Sequence, residues 1–433
     1  MSAVDALGDV RRSLHERLLR RVDARDLDGI SRAERRLLVR EEALAVLRED
    51  GHILPQGALA KVVNEVSDAV VGAGPVEFLL RDPDVTEVMV NGPDDVYVER
   101  EGRIERVGDR LFEGEEAVLH LIERIVAPLG LRVDGSSPWV DARLPDGSRV
   151  HAIVPPLSLC GPVLNIRKFT SIPLRPEGIV ANGTISPPML AFLAACVRGR
   201  ANVIVSGGTS SGKTTLLGVL SSFVPDGERI ITIEDAAELR LAKPHVIGLE
   251  ARPANVEGEG EVTVRDLVRN ALRMRPDRIV IGEVRGGEAL DMLQAMNTGH
   301  DGSLCTAHAN SARHVLWRIE TMAMMSDVDL PVAHVRTQVA GAIDVVVHMA
   351  RLRDGRRLAF QVATVDGVDP AGDPIVTEIF GFRPRLGPDG AFVATGVVPP
   401  LAKTLVGRGL DVPAEWFDVD VRRGPGTHLF ERS

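Results

Sequence analysis

The chain of 433 residues is 44% apolar and 26% charged, which supports two or three globular domains and excludes a collagen, a disulfide scaffold and a wholly disordered polymer. Its formal charge of −10 lacks the basic footprint of a dedicated nucleic-acid binder. Three scattered cysteines, Cys160, Cys196 and Cys305, form no CxxC pair, and no uninterrupted apolar run is long enough to cross a bilayer, so structural zinc, a disulfide framework and a membrane span are not expected.

Residues 1–65 read as a charged helical extension. Leu14, Leu18 and Val22 recur every four residues with Leu19 beside them. Ser31 and Glu34 predict a capping box that opens a further helix, with Leu37, Leu38, Ala43, Leu44 and Leu47 on its apolar face. These helices fit a docking appendage and a local cap on the next domain equally well. The opening residues carry no signal-peptide pattern, so a reducing, cytoplasmic setting is expected, with any membrane role coming through partners.

Residues 66–172 predict a small α+β domain. Strands are expected at 85–90 and 96–99 around the turn Asn91-Gly92-Pro93, at 140–144 and 149–154 around Pro145-Asp146-Gly147-Ser148, and at 163–167, with a helix over 115–126. Residues 173–188, with Pro173, Pro176 and the stretch 183–188, predict a linker, and Pro187 suits the first turn of a helix. Residues 189–433 predict a second domain with a C-terminal subregion. Its strands at 201–205, 229–233 and 278–281 are apolar without alternation, the mark of a parallel sheet covered on both faces.

Gly207, Gly208, Thr209, Ser210, Ser211, Gly212, Lys213 and Thr214 match GxxxxGK[ST]. The run follows Val203-Ile204-Val205 and leads through Thr215 into an apolar helix. Such a loop turns its backbone N–H groups toward phosphates. Its lysine reaches the outer ones, and its last hydroxyl serves Mg²⁺. ATP with Mg²⁺ is therefore the expected cofactor pair, on Gly207 through Thr215.

Binding alone does not make a hydrolase, which also needs a placed water, a metal holder and charge on the transferred phosphoryl group. Acidic candidates follow later strands: Glu234, Asp235 and Glu238 after Ile231-Thr232-Ile233, and Glu283 after Ile279-Val280-Ile281-Gly282. Acidic residues in such places also cap helices. His300 and His308 flank a run of small residues. They suit a phosphate sensor or satisfied structural histidines, and their spacing with Cys305 fits no zinc pattern.

Four ordered blocks resemble the secretion and pilus-assembly ATPases of the GspE superfamily, in the CpaF-like branch of tight-adherence (Tad) pilus motors, close to the VirB-type conjugation ATPases. They are the phosphate loop; Ile231 to Leu239, which looks like the family's Asp box; Leu272 to Gly286, which resembles its atypical Walker B segment; and Met296 to Ser311, its His box. Gly74-Pro75-Val76-Glu77, Val88 to Gly92, Val140 to Arg149 and Asn165 to Phe169 are similar to the CpaF-like N-terminal domain. Gly286, where GspE proper has aspartate, agrees with that branch, and the tetracysteine zinc element of many GspE proteins is missing.

The resemblance implies a RecA-like P-loop domain behind the α+β domain. Glu238 becomes the water-activating base, with Glu234 and Asp235 shaping the site and the metal's water shell. Glu283 lies near Mg²⁺, which Thr214 also helps to hold. His308 approaches the γ-phosphate, and His300 is the first histidine of its box. Arg143, Arg149 and Arg167 are the N-domain candidates for closing on the phosphates, while Arg285 or Arg275 could reach a neighbouring subunit. A homohexamer that drives an inner-membrane platform protein is implied, with no direct membrane span. Nucleic acid is disfavoured as a partner by the charge. A nucleic-acid translocase and a nucleotide-regulated scaffold with little turnover remain the alternative readings.

Overall fold

The computed structural model describes residues 32–419, apart from 51–53, 72, 101, 109, 145, 170–174, 253, 255–258 and 387–388, together with positions 10, 13, 14, 17, 18 and 21. Leu19 and Val22 of the first apolar stripe, Ser31 of the expected capping box, Pro145 of the expected turn and Pro173 of the expected linker lie outside the described residues. The chain divides into two units, residues 1–170 and 171–433.

In the first unit, the helices Arg32–Glu49 and Gln56–Val71 share a small core with Leu14 and Leu18. Val39, Ala43, Val46 and Leu47 recur at helical spacing and form the buried stripe. Leu37 and Leu38, expected on that stripe, are exposed. A helix turning about 100° per residue carries Leu37 to the side opposite Val39 and Leu38 to its flank.

The rest of this unit is an antiparallel sheet of β1 (Val85–Asn91), β2 (Asp95–Arg100), β3 (Arg103–Arg106), β4 (Trp139–Arg143), β5 (Arg149–Ile153) and β6 (Val163–Arg167), in the order β3-β2-β1-β6-β5-β4. The helix Glu115–Val126 covers one face, packing Val118, Leu121 and Ile122 in one core with Val88, Val90, Val150, Leu164 and Ile166. Burial alternates along β2, β5 and β6, as a sheet covered on one side requires. All four side chains of β3 are exposed, so it joins by backbone pairing and surface ion pairs with β2 and leaves no apolar pattern in the sequence.

Among the described residues the second unit is built on nine strands: β7 (Val203–Gly207), β8 (Ile230–Glu234), β9 (Val246–Glu250), β10 (Arg278–Val284), β11 (Leu304–His308), β12 (Val345–Arg351), β13 (Arg357–Val368), β14 (Pro374–Arg383) and β15 (Ala391–Ala394). The strands β12, β7, β11, β10, β8 and β9 are neighbours in that order and run parallel. An antiparallel meander, β13 to β15, extends the sheet beyond β12. Val203 and Val205 enter one core with Leu193 and Leu217, while Ile204 enters the other with Leu293 and Leu316. Both faces are covered by helices, which is why these strands are apolar at every position. The chain is thus of the expected α/β class. Its mainly parallel sheet is RecA-like, with β11 between the loop-bearing β7 and β10.

Candidate functional site

Because β7, β8, β10 and β11 run parallel, their last residues lie at one edge of the sheet, where open α/β sheets receive ligands. Gly207 ends β7 and pairs with His308, which ends β11; Glu234 ends β8; Glu283 is the penultimate residue of β10. Residues far apart in the sequence are brought together by strand direction alone.

The glycine-rich loop starts at Gly207, where a Cβ would stand 2.4 Å from the Met349 carbonyl oxygen and 2.6 Å from Ser211 Oγ. Only glycine lets β12 and the loop close on β7 there. Left-handed turns at Ser210 (φ 55°) and Gly212 (φ 94°) curl the chain into the concave form in which backbone N–H groups face an anion. The helix Lys213–Ser221 follows at once, adding the positive end of its dipole. Lys213 is buried, and its Nζ donates to the Gly208 carbonyl at 2.9 Å, which also accepts from Ser211 Oγ at 2.9 Å. Gly208 and Thr209 are exposed, Thr214 is half-buried and Thr215 is exposed in the first helical turn.

His308 stands between Lys213 and Glu283. Its Nδ1 is 3.4 Å from Lys213 Nζ and its Nε2 is 2.7 Å from Glu283 Oε1. Burial, and then the Lys213 charge, push its pKa below the ordinary histidine value, so the ring is neutral near pH 7. The approach to Glu283 is close in distance but poorly aligned, and Glu283 Oε1 remains a buried acceptor on which no donor hydrogen is directed. Its other oxygen accepts from Arg285 Nε at 2.9 Å. Arg285 reaches on to Asp235 at 3.2 Å. Burial opposes the charge of Arg285, but its bond to Glu283 and the nearby Glu283, Asp235 and Glu238 charges outweigh this and raise its pKa. An oriented carboxylate with one buried oxygen lacking an aligned donor, together with the Thr214 hydroxyl after the phosphate loop, fits hard-cation chemistry of the Mg²⁺ type.

Glu234 is buried and turned inward. Its Oε1 accepts the backbone N–H groups of Glu238 at 2.9 Å and Leu239 at 3.0 Å. Glu238 is half-buried on the loop that this carboxylate gathers, and Asp235 is exposed.

Two expectations fare differently. His300 precedes β11 by four residues, and the backbone N–H groups of Gly302 and Ser303 bond the Asn202 side chain just before β7. That is the opposite end of the strands from Gly207, so His300 is not beside the phosphate loop of its own chain. Arg143, Arg149 and Arg167 belong to the first unit. They are direct cross-strand partners, Arg143 with Arg149 and Arg149 with Arg167, and so form one row across β4, β5 and β6. Sequence reasoning missed Gly282 and Thr306. Thr306 Oγ1 donates to the Gly282 carbonyl at 2.6 Å, and no motif letter marks either as more than a small strand residue.

A family model described as type II/IV secretion system protein matches residues 69–365. A putative conjugal transfer protein of Mycobacterium tuberculosis is 43% identical over 302 residues, covering 68% of this chain and 85% of that protein. The type IV secretion system protein PtlH of Bordetella pertussis is 36% identical over 300 residues, covering 62% of this chain and 86% of that protein. Among solved structures, the VirB11 ATPase from the Brucella suis type IV secretion system is 29% identical and aligns with a TM-score of 0.38, covering 69% of this chain and 96% of that one.

Proposed function

We propose that this chain, which belongs to the family of type II/IV secretion system proteins, is a Mg²⁺-dependent ATPase of the GspE superfamily that works as a homohexameric motor. The observation that carries the reading is the meeting of Lys213, His308 and Glu283 within 3.4 Å contacts at the edge where the phosphate loop ends. No described helix is long and apolar enough to cross a membrane. In this reading force passes to an inner-membrane platform protein, with the motor on its cytoplasmic side. Gly286 and Gly287 after Arg285, and the lack of a tetracysteine element, support the CpaF-like branch that serves Tad pili.

The loop from Gly207 to Thr215 takes the phosphates of ATP on backbone N–H groups, and Lys213 supplies the mobile positive charge. Mg²⁺, held by Thr214 and Glu283 partly through water, would neutralise phosphate charge there. Glu238 accepts the proton of the attacking water. Neutral His308, between Lys213 and Glu283, meets the outermost phosphate and reports its loss to β11. Arg285 brings a guanidinium to the same carboxylates, and the row Arg143, Arg149 and Arg167 offers three more forks for phosphate oxygens. Binding of ATP joins charged groups that hydrolysis lets part, and around a ring such steps become strokes.

Mass and hydrolysis rate measured on one purified sample, with and without ATP–Mg²⁺, test this. A particle of six protomers whose hydrolysis is lost in Glu283→Gln is the expected result. Full activity in that variant, or undiminished activity in a proven monomer, overturns it. Hydrolysis that rises with DNA and falls steeply with salt would favour a nucleic-acid translocase instead.

A further inference from the structure

Gly282 touches both carboxylate-bearing loops. On one side it faces Glu234 so closely that a Cβ would stand 2.7 Å from Glu234 Cγ and 3.3 Å from its Oε1. On the other side its carbonyl accepts the Thr306 hydroxyl at 2.6 Å. The pairing of β10 with β11 slips at this point: Ile281 faces Cys305 and Val284 faces Ala307, so Gly282 and Glu283 together oppose Thr306. Two residues against one make a bulge, a device that re-aims a side chain and leaves backbone groups in need of a partner. Thr306 supplies that partner, and Glu283 is aimed at His308.

Glu234 is only 4% exposed, and its oxygens are turned to the backbone of the loop that follows it, at Glu238 and Leu239. Bonds from N–H groups to a carboxylate are about twice as strong as neutral ones. Three N–H contacts fix the orientation of this carboxylate toward the loop. We infer that Glu234 is a positioning residue for Glu238, holding by its side chain the turn that presents the base, and that Gly282 with Thr306 is the joint tying this turn to the Glu283 bulge. The geometry of the base and that of the Walker B carboxylate are thereby set by one contact rather than two. The inference rests on the reading of Glu238 as proton acceptor.

The test uses the full chain in three measurements. First, hydrogen exchange at the Glu238 and Leu239 amides rises about tenfold or more in Glu234→Ala, since bonds to a charged acceptor are lost. Second, kcat falls by up to about a hundredfold in that variant while the equilibrium affinity for ATP–Mg²⁺ is unchanged, because a displaced base is a geometric fault. Third, Glu234→Ala adds no further loss of kcat when Glu238 is already Gln, since residues acting through one another do not add. Gly282→Ala raises the same amide exchange and lowers kcat, and because it also shifts Glu283 it weakens ATP–Mg²⁺ binding as well. For Glu234→Ala, losses of kcat that add, a fall in nucleotide affinity, or unchanged amide exchange would each overturn the inference. If Glu234→Ala does not fold, Glu234→Leu, which keeps most of the volume and removes both acceptor oxygens, carries all three readouts. A wild-type chain that hydrolyses no ATP sinks the motor reading, while the amide-exchange result still decides whether Glu234 holds the turn.

Discussion

In the first unit Arg143, Arg149 and Arg167 stand side by side across the open face of an antiparallel sheet, whereas in the second Gly207, Glu234, Glu283 and His308 stand at the ends of parallel strands. The difference follows from how each sheet is covered. A helix lies on one face of the first sheet, so every second residue of its strands is available to solvent or a ligand. Both faces of the second are buried, so chemistry is confined to the edge where the strands stop. One sheet offers a surface of repeated like groups, and the other offers a point where unlike groups meet.

Substitutions that separate these two designs have effects of different size. The largest is expected at the strand ends: Glu238→Gln lowers kcat by about 10²–10⁴, the usual worth of a placed general base, with the fold intact by circular dichroism. An unchanged kcat would remove Glu238 from the site. Next come the strand interiors. Ile230 and Ile231 are adjacent and both fully buried, so Ile230→Ala and Ile231→Ala should each cost about 2–5 kcal/mol in denaturant unfolding. In the first unit, Ile166→Ala should cost a similar amount while its neighbour Asn165→Ala costs little, because Asn165 is on the half-open face. Equal costs for Ile166 and Asn165 would break the contrast.

That contrast also explains what could be read from residues alone. Short apolar runs bounded by turns such as Asn91-Gly92-Pro93 marked the strands of the first unit, and unbroken runs such as Val203-Ile204-Val205 marked covered ones. The phosphate loop was legible because its chemistry needs fixed residue types at fixed spacing. The strand β3 was not, since Arg103-Ile104-Glu105-Arg106 buries nothing and is recruited by backbone pairing and surface ion pairs. His300 and His308 look alike in sequence as two ends of one motif, yet β11 with its approach separates them along the sheet, and no local pattern encodes that distance. The work of Glu234 was hidden for a related reason. A carboxylate bonded to backbone N–H groups has the same letter as one that meets a metal.

The arginine row gives a smaller pair of effects. Arg149, the middle member, faces a like charge on each neighbouring strand, so Arg149→Ala should change Tm little. The same change should lower kcat/KM for ATP by about tenfold if the row serves phosphate oxygens. A drop in Tm with unchanged kcat/KM would make the row structural.

The smallest effect is one of pH, and it belongs to the parallel sheet. Two of its histidines are held below the ordinary histidine pKa. For His308 the causes are burial and then Lys213; for His348, on β12 with Nδ1 3.0 Å from Ser206 Oγ, they are burial and then His314. Above the ordinary value of 6.5 both rings are neutral in folded and unfolded chains alike, and neither contributes. As pH falls through 6.5 the unfolded chain takes up protons that the folded one refuses, so stability declines, and the decline ends once pH is below the folded values. Urea unfolding of the full chain followed between about pH 7.5 and 5.5 should show this loss, with His348→Asn flattening more of it than His308→Asn because His348 is the more buried ring. Ser206 immediately precedes the phosphate loop, so a proton forced onto His348 strains the strand from which that loop springs. ATP affinity should weaken over the same window, whereas an affinity that held steady while stability fell would separate β12 from the nucleotide site.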